Sequence, residues 1–408
     1  MTTLETAPAP AAFGTARLLA GATRGRRADL AAHRAVHGDQ RFHDLAGLTT
    51  LADQVRLLGR GGAAFPVAAK LRAMPRGSAT HVLVNGSESE PASRKDRTLM
   101  QVAPHLVLDG ALVVARALGT SRITILVHDP AAGSSLTAAA RERRDARRIR
   151  VVVRDGGFVS GEVRAAIRGL DGGPAVPPGR RVLPHEHGVR GAPTFASNVE
   201  TFAQLALLAA LGADRFASVG SPAEPGTALL TLAGDVPHAG VVEVPTGLPL
   251  AALLPDQQAE PRPVLVGGYH GSWVTDVDGL EVSRPALRAA GHPLNAGVVA
   301  RLSHATCALA EVVAVGSWLA RQSSGQCGPC FFGLPTVAQD LHRLLRGEDA
   351  RPGLSRRVAL QPGRGACAHP DGTATFVRTA LATMTVEIDA HLRHGSCGRP
   401  WLDELGTR

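Results

Sequence analysis

The sequence has few aromatic residues, few cysteines and no long apolar run. Only 3% of its 408 residues are aromatic and five are cysteine, which excludes a small scaffold held together by disulfides. The longest apolar stretch, residues 308 to 320, contains Glu311 and is shorter than the roughly 20 residues of a membrane-spanning helix. The sequence therefore predicts no transmembrane helix.

The N-terminus lacks the pattern of a secretory signal. Glu5 precedes any basic residue, and no continuous apolar core follows it. We therefore expect a cytoplasmic protein without a membrane span, a prediction that leaves room for a peripheral position on a membrane complex.

The charge balance is positive, with a net charge of +9 and an isoelectric point near 10.4. No basic stripe is interleaved with stacking aromatic residues, so we expect no nucleic-acid partner. A positive protein can instead attract an acidic electron-transfer partner or an anionic ligand. With 44% hydrophobic and 19% charged residues, the composition is that of a folded globular protein.

Lysine and asparagine are scarce. Lys70 and Lys95 are the only lysines among 44 basic residues, and Asn85, Asn198 and Asn295 are the only asparagines. A compact ammonium and a side-chain amide do jobs that arginine and aspartate cannot copy. Both lysines and two of the asparagines fall within the motifs described below, which makes them candidate functional residues.

Short apolar runs alternate with amphipathic stretches over the first half of the chain, which predicts a parallel α/β sheet covered on both faces. The predicted strands are 81–84, 123–128 and 149–154, and the predicted helices are 106–118, 134–147 and 197–211. Short β-like runs at 228–233, 241–244 and 264–266 predict a small β-rich domain. Helical patterns at 307–321, 335–345 and 373–392 predict a terminal helical bundle.

The first motif is a glycine-rich segment, Gly59-Arg60-Gly61-Gly62, which precedes Lys70. Closely spaced glycines let backbone amides turn toward an anion, a helix start adds its dipole, and a lysine meets a phosphate as a point charge. The spacing differs from the G-x-G-x-x-G dinucleotide fingerprint. An anion-binding loop and a structural glycine turn both remain open from these residues alone.

The second motif, NGSESEP, contains Asn85, Glu88 and Glu90 and directly follows the predicted strand 81–84. Open α/β sheets bind their ligands at the carboxyl ends of parallel strands. Two acids and an amide there can accept hydrogen bonds from ribityl or ribose hydroxyls. A solvated turn is the alternative.

The third motif is a C-x-x-C turn, Cys327 to Cys330, with Cys367 farther along. An iron–sulfur cluster needs thiolates held close together, and this turn supplies two of them. A disulfide is not expected in a cytoplasmic chain, and zinc takes four ligands. The cysteine spacing alone leaves iron–sulfur, zinc and a redox dithiol open.

Taken together, these segments resemble the NADH-oxidising flavin and iron–sulfur subunit of respiratory complex I and its relatives in NAD-linked hydrogenases and formate dehydrogenases. The family signatures are G-R-G-G-A-G-F-P with a downstream lysine, N-A-D-E-G-E-P with K-D-R, N-N-V-E-T, and E-S-C-G-x-C-x-P-C. The corresponding segments here are GRGGAAFPVAAK, NGSESEPASRKDR, SNVET and QSSGQCGPC, with a late cysteine at Cys367. The resemblance covers about residues 45 to 392.

The resemblance implies an α/β fold class with three domains. The implied segments are an N-terminal arm (1–45), a Rossmann-like FMN-binding α/β domain (46–220), a small soluble-ligand-binding β-grasp domain (221–285), a helical bundle for a 4Fe-4S cluster (286–395) and a C-terminal tail (396–408).

The resemblance also implies site residues. The FMN phosphate would lie near the glycine segment and Lys70, and Glu88 and Glu162 would face the nicotinamide as catalytic residues. The implied cofactor-binding residues are Gly59, Arg60, Gly61, Gly62, Lys70, Asn85, Glu88, Phe158, Asn198 and Thr201, with Phe158 in place of a family tyrosine.

Several positions depart from the family pattern. Ala73 and Leu183 stand where family members stack aromatic rings on NADH, and each ring is worth on the order of 1 kcal/mol or more. Ser87 replaces an aspartate, Ser197 an asparagine and Val163 a glutamate. The flavin site is therefore expected to be better kept than the NADH site.

The iron–sulfur motif has also changed, because Ser324 replaces its first cysteine. The implied metal ligands are Cys327, Cys330, Cys367 and Ser324. A recruited Cys307 or Cys397, an open iron, and the absence of a cluster are the alternatives. Near the C-terminus, His391, His394 and Cys397 are spaced three apart, which favours an exposed polar helix face over a ligand set.

Two functions follow from the resemblance. In the first, NAD(P)H gives a hydride to FMN, and single electrons leave through the cluster to a ferredoxin-like or other iron–sulfur partner. In the second, the chain is an electron-transfer or scaffold subunit that does not oxidise NADH, closer in role to the C subunit of the Rnf complex. The missing aromatic rings favour the second function, and Glu88 and Glu162 favour the first.

Overall fold

A computed structural model describes residues 10–22, 26–77, 79–179, 182–257 and 261–407. Helices and strands alternate over the first half of the chain. These elements are β1 (Ala11–Ala12), α1 (Leu30–His37), α2 (Leu45–Gln54), α3 (Val67–Arg72), β2 (His81–Gly86), α4 (Lys95–Val102), α5 (Pro104–Leu118), β3 (Ile123–Val127), α6 (Pro130–Arg141), β4 (Arg150–Val153), α7 (Val163–Leu170), β5 (Thr194–Asn198) and α8 (Val199–Ala217).

Four of these strands form a parallel sheet in the order β4-β3-β2-β5. Every residue of β3, ITILV, is buried, as expected for a strand covered on both faces. The larger core lies between one face and helices that include α5 and α8. On the other face α7 contributes Ala166 and Ile167 to a smaller core. This arrangement confirms the predicted α/β class.

The close packing of α5 on α8 depends on Gly110. A Cβ atom at this position would lie 1.9 Å from the carbonyl oxygen of Phe202, so only glycine lets the two backbones approach. Helix α5 begins with Pro104 and ends at Gly119, whose φ of +71° suits glycine. These residues explain why the predicted bounds of this helix are close to the observed ones.

A second sheet follows. The elements of this region are β6 (Gly220–Ser221), β7 (Glu224–Pro225), β8 (Thr227–Gly234), β9 (Gly240–Pro245), β10 (Val264–Val266), β11 (Ser272–Val274), α9 (Arg284–Ala289) and β12 (Val298–Arg301). Six strands pair in the order β1-β9-β8-β12-β10-β11, with parallel and antiparallel neighbours. The sheet crosses two predicted boundaries, because β1 comes from the N-terminal arm and β12 lies beyond residue 285.

The N-terminal arm is fixed to this sheet by Glu243. Its carboxylate accepts hydrogen bonds from the backbone amides of Arg17, Leu18 and Leu19 at 2.9 to 3.0 Å, and from the hydroxyl of Thr227 at 2.6 Å. The described part of the arm is thus an integral part of the fold.

The last third is helical. Its elements are α10 (Ala308–Arg321), a π-helical turn (Pro329–Gly333), α11 (Leu334–Leu345), α12 (Arg351–Ala359), α13 (His369–Thr383) and α14 (Thr385–His394). The predicted helix 373–392 is wrong in one respect, because it is divided at Met384 into two helices. The tail packs back on the fold, with Leu405 buried and its carbonyl accepting a hydrogen bond from the Tyr269 hydroxyl at 2.7 Å.

No single helix in the described ranges is long and apolar enough to span a membrane. The pair α4 and α5 passes a test of length and composition together, but the two helices are bent by 96°. Almost all of α5 is buried in the protein core.

Candidate active site

Two of the predicted site residues, Asn85 and Asn198, lie side by side at the carboxyl edge of the parallel sheet. Asn85 at the end of β2 and Asn198 at the end of β5 are paired in register. Asn198 caps α8, where its Oδ1 accepts hydrogen bonds from the amide of Thr201 at 3.0 Å and from its hydroxyl at 2.6 Å. Asn85 Nδ2 donates to the carbonyl of Gly161 at 2.9 Å. Two of the three asparagines in the chain therefore shape one edge.

The glycine segment wraps around the start of α8. The amide of Arg60 donates to Thr201 Oγ1 at 2.8 Å, while its buried guanidinium forms an ion pair with Glu224. Arg60 thus joins the loop to the second sheet region, and its side chain does not face the open edge.

The next two glycines face open space. A Cβ at Gly61 would lie 3.9 Å from Asn198 Cβ, and one at Gly62 would meet no described residue within 4 Å. Neither glycine amide donates a hydrogen bond within the described part of the chain. The packing of the protein does not itself require glycine at these two positions, and two donors are available to a ligand.

Lys70, on α3, lies against the same edge. Its Nζ donates to the carbonyl of Ala196 in β5 at 2.8 Å. Burial lowers the pKa of this ammonium to about 8, with no carboxylate beside it among the described residues. The Ser87 hydroxyl is also buried and has no hydrogen-bond partner in the described ranges. A part-buried cation, a buried hydroxyl and two free amides fit an anionic ligand such as the FMN phosphate.

Glu88 has a different environment from the one predicted. Its carboxylate accepts hydrogen bonds from Ser93 Oγ at 2.7 Å and from the amides of Asp96 and Arg97 at 3.1 and 2.9 Å. These contacts occupy the side chain as a cap on the first turn of α4. Its predicted catalytic role stays a prediction, and no described contact turns the carboxylate toward a nicotinamide.

The second lysine, Lys95, is structural. Its buried Nζ contacts Asp96 Oδ1 at 2.8 Å and Glu200 Oε2 at 2.9 Å, and Asn198 Nδ2 donates to Asp96 at 3.1 Å. This network joins the N-terminus of α4 to that of α8. It keeps the two helix starts that border the site in fixed positions.

The segment from Phe158 to Arg164 runs from this edge to the helical bundle. The Phe158 ring packs edge-on against Trp318 and His369, with centroids 5.2 and 5.5 Å away, and its amide donates to Gln322 Oε1 at 2.9 Å. The structure places the Phe158 ring among other aromatic side chains, and its predicted flavin contact stays a prediction. The ring is apolar and part-buried, and its nearest aromatic neighbour is His270, between β10 and β11, with centroids 4.7 Å apart.

Glu162, in the same segment, caps α7. Its carboxylate accepts hydrogen bonds from the amides of Arg164 and Ala165 at 3.1 Å. Arg164 also pairs with Glu162 and donates to the carbonyl of Ala366 at 2.8 Å, next to Cys367. Its side chain is 26% exposed, so Glu162 keeps some access to solvent.

The predicted metal ligands converge in the bundle; we call Ser324, Cys327, Cys330 and Cys367 the cysteine cluster. Burial raises the pKa of the Cys330 thiol to about 11, and the neighbouring thiols of Cys327 and Cys367 act in the same direction. The neighbouring hydroxyl of Ser324 lowers it. Ser324 thus lies near this thiol, at the place of the missing fourth cysteine.

Cys367 also connects the cysteine cluster to the α/β domain. Burial raises the pKa of its thiol, the charge of Glu162 raises it further and Arg164 lowers it. The segment that contacts Asn85 at Gly161 therefore also reaches the cysteine cluster, where Arg164 binds the carbonyl next to Cys367.

The alternative in which Cys307 or Cys397 is the fourth ligand of the cysteine cluster is wrong. Cys307 caps the N-terminus of α10, whereas Ser324 follows the C-terminus of that helix. Fourteen helical residues separate the two ends by about 20 Å. Cys397 lies with Cys307 and not with the cysteine cluster.

The positions of the two missing rings are both exposed. Ala73 ends α3, and Leu183 is 44% exposed. Phe65 is not among the predicted site residues, although it follows the glycine segment and is 52% exposed. An aromatic ring in this loop, in a chain with only 3% aromatic residues, could have marked it as a candidate. An exposed ring at this place offers a face on which a base can stack.

Comparison with known proteins decides the family. Residues 52–207 match the Nuo51 FMN-binding domain, and residues 310–391 match the NADH-ubiquinone oxidoreductase-F iron-sulfur binding region. The chain belongs to this family, as a divergent member. The matches confirm the resemblance inferred from the four motifs and the two predicted cofactors, FMN and an iron–sulfur cluster.

Relatives cover most of the chain. The F 2 subunit of NADH-quinone oxidoreductase in Rhizobium meliloti is 28% identical over 382 residues, covering 86% of this chain and 90% of that protein. The F-type subunit of the same oxidoreductase in Escherichia coli is 29% identical over 384 residues, covering 86% of each.

Among solved structures, the air-oxidised NAD+-reducing [NiFe]-hydrogenase superposes with a TM-score of 0.79 at 25% identity, covering 94% of this chain and 68% of that one. Its H2-reduced form superposes with a TM-score of 0.72 at 25% identity, covering 86% of this chain and 63% of that one.

Proposed function

We propose that this chain takes up reducing equivalents at an FMN held at the carboxyl edge of the parallel sheet and delivers single electrons through a 4Fe-4S cluster to a partner subunit, with NAD(P)H as the donor. Bound FMN supplies an acceptor of electron pairs that releases electrons one at a time. The matched family models and relatives are named as parts of NADH-oxidising oxidoreductases. The chain matches both the FMN-binding domain and the iron-sulfur binding region.

The chain's own groups divide the work. Lys70 and the amides of Gly61 and Gly62 hold the phosphate, and Ser87 adds a hydrogen bond. Asn198 and Thr201 fix the loop that presents those amides. The exposed Phe65 provides a stacking face for an entering nucleotide.

The observation that carries the proposal is the segment from Phe158 to Arg164. Its Gly161 carbonyl binds Asn85 at the flavin edge, and its Arg164 binds the carbonyl beside Cys367 in the cysteine cluster. One short stretch of covalent chain thus borders both cofactor sites. Electrons need no domain movement to pass between them.

Anaerobic purification tests this function. We expect about one FMN and four irons per chain, bleaching of the flavin absorption by NADH, and a paramagnetic signal from the reduced cluster afterwards. As a control, Cys330→Ser should abolish the paramagnetic signal and leave flavin bleaching in place. A protein with neither flavin nor iron after anaerobic preparation would contradict the proposal.

A second function is favoured by specific observations. Ala73 and Leu183 offer no rings, and the Glu88 carboxylate is occupied by α4. In this second function the chain receives electrons from a ferredoxin-like partner and does not oxidise NADH. Reduction of the flavin by a reduced ferredoxin, with no reduction by NADH, would identify it.

Two exposed aromatic rings lie next to the cysteine cluster. Phe331 and Phe332 directly follow Cys330, are 64% and 70% exposed, and lie edge to face with centroids 4.8 Å apart. We propose that an iron–sulfur partner docks here. The double variant Phe331→Ser and Phe332→Ser should leave flavin reduction unchanged and slow reoxidation by an added ferredoxin. Equal reoxidation rates in both proteins would place the docking surface elsewhere.

A further inference from the structure

Four side chains with metal-binding atoms meet at the end of the bundle away from the cysteine cluster. Cys307, Glu387, His391 and Cys397 each offer one ligand atom, and these atoms all lie within 4.8 Å of one another. We propose that they bind a divalent ion of the zinc type, and we call this group the distal site. The motifs that resemble the family include none of these four residues.

The ligand types select the metal. Two thiols, one imidazole and one carboxylate give a mixed set of four, which suits tetrahedral zinc, whereas iron–sulfur clusters are held mainly by thiolates. All four ligands come from the protein, so no position remains for substrate. The distal site is therefore structural rather than catalytic.

The imidazole of His391 is oriented as a metal ligand. Its Nδ1 lies 2.8 Å from the carbonyl of Leu345, which can only accept a hydrogen bond, so Nδ1 carries the proton. The lone pair is then on Nε2, which points at Cys307 Sγ, 3.4 Å away. A backbone carbonyl behind the ring is the usual outer partner of a zinc-binding histidine. His391 is 4% exposed, so its predicted place on an exposed polar face is wrong.

Cys307 is placed to be a thiolate ligand. It is buried, and its sulfur accepts a hydrogen bond from the amide of Ala310 at 3.3 Å as the cap of α10. A helix N-terminus stabilises a thiolate, and a metal ion would offset the burial that otherwise raises the pKa of this thiol.

Glu387 is held by groups outside the ligand set. Its Oε1 accepts from the amide of Leu309 at 3.2 Å, and its Oε2 pairs with Arg399 at 3.0 Å. Cys397 lies 3.7 Å from Oε1. A zinc ion with two thiolates and one carboxylate carries one net negative charge, which the guanidinium of Arg399 balances.

The distal site is separate from the cysteine cluster. His391 contacts the last residue of α11, Leu345, while Cys330 lies in the turn that precedes the first. Twelve helical residues place these ends about 18 Å apart. The distal ion would tie Cys397 and the tail to α10 and α14, where the amide of Cys307 already donates to the carbonyl of Pro400.

Metal analysis of the full chain tests the distal site. The protein is produced with added zinc, purified anaerobically, and analysed for zinc, iron and sulfide. We expect about one zinc per chain in addition to the cluster iron. His391→Gln and Cys397→Ser should each lower zinc occupancy or affinity roughly 10- to 100-fold and retain FMN and iron. His394→Gln, on the same helix and outside the ligand set, is the matched control and should keep its zinc.

Variants of the cysteine cluster separate this inference from the proposed function. Cys367→Ser should lose iron and keep zinc. If zinc instead disappears with Cys367→Ser and persists in Cys397→Ser, the ion occupies the cysteine cluster and the inference is overturned.

Cobalt substitution keeps the test decisive if the distal variants fail to fold. The wild-type chain loaded with Co2+ should show the thiolate charge-transfer and intense visible bands of a tetrahedral site. Absence of these bands, or a Cys307–Cys397 disulfide found by mass spectrometry in the anaerobic protein, would refute a metal at this site.

Discussion

Lys70 should make the affinity of the protein for FMN depend on pH, because burial shifts the pKa of its ammonium. Burial lowers the pKa of its ammonium from the usual 10.5 to about 8, because the contact with the Ala196 carbonyl does not replace the lost water. The free protein therefore keeps this charge below about pH 8 and loses it above. A phosphate dianion beside the ammonium stabilises the charged form and returns its pKa toward the usual value.

The dissociation constant of FMN should therefore be constant from pH 7 to about pH 8 and rise above it. At the higher pH, Lys70 must take up a proton when FMN binds. The constant should rise about tenfold per pH unit well above pH 8, and about 15-fold between pH 8 and 9.5, because half of the ammonium is already deprotonated at pH 8. The full gap between the two pKa values corresponds to about 3 kcal/mol.

Quenching of FMN fluorescence by flavin-free protein measures this constant across pH 7 to 9.5. Lys70→Met should weaken binding at pH 7 by roughly 1.5 to 3 kcal/mol and flatten the pH profile, because it removes the titrating group. Arg72→Met, an exposed change on the same helix, should do neither. A flat wild-type profile together with unchanged affinity in Lys70→Met would exclude Lys70 from the phosphate site.

Three further changes test other parts of the molecule. Ala64 has a φ of +46°, so Ala64→Gly should stabilise the protein by about 0.5 to 1 kcal/mol after the entropy of the added glycine is counted, and a lower denaturation midpoint would contradict this. Ser324→Cys should increase iron retention and slow bleaching in air, whereas unchanged iron content would show that Ser324 does not face the cluster. Ala73→Phe combined with Leu183→Phe should tighten NADH by about an order of magnitude in stopped-flow flavin reduction, and no gain would point to a donor other than a nicotinamide.

The sequence is informative where local pattern and burial agree. Strand β3 is apolar apart from Thr124 and α5 is bounded by proline and glycine, so the predictions for both agree with the structure within a few residues. Helix α4 has a polar sequence and escapes prediction, because its first turn is held by Glu88 from the preceding loop. The break at Met384 leaves the apolar repeat intact, so periodicity cannot reveal it. Strand β12 is four residues long and pairs with strands that precede it by 30 to 70 residues.

The candidate site is predictable as a set of residues but not as a set of roles. Arg60 and Glu224 are 164 positions apart, and Lys95 and Glu200 are 105 apart, so no local pattern shows that these ions neutralise each other. The distal site escapes prediction for the same reason. Cys307 joins Glu387, His391 and Cys397 only through the fold, about 80 to 90 residues away along the chain.

Retention of a residue in a divergent chain has two physical causes, and the structure separates them. Asn198 and Lys95 hold buried hydrogen bonds and ion pairs, so replacing them would leave polar partners unsatisfied at about 1 to 3 kcal/mol each, whatever the site binds. Ala73 and Leu183 are exposed, and the loss of rings there costs the fold little. Neither group reports on a bound flavin.

Lys70 and Ser87 do report on it, together with the glycine amides. Lys70 is part-buried at a lowered pKa and meets one carbonyl and, at 5.8 Å, the ring of Phe195, whereas the Ser87 hydroxyl is buried without any described partner. Both features cost stability in the empty protein, and an anionic ligand would recover that cost. A flavin at this edge is therefore supported by groups whose charge or hydrogen-bonding capacity the described residues do not fully satisfy. Substitution of these groups should change FMN affinity more than it changes the stability of the fold.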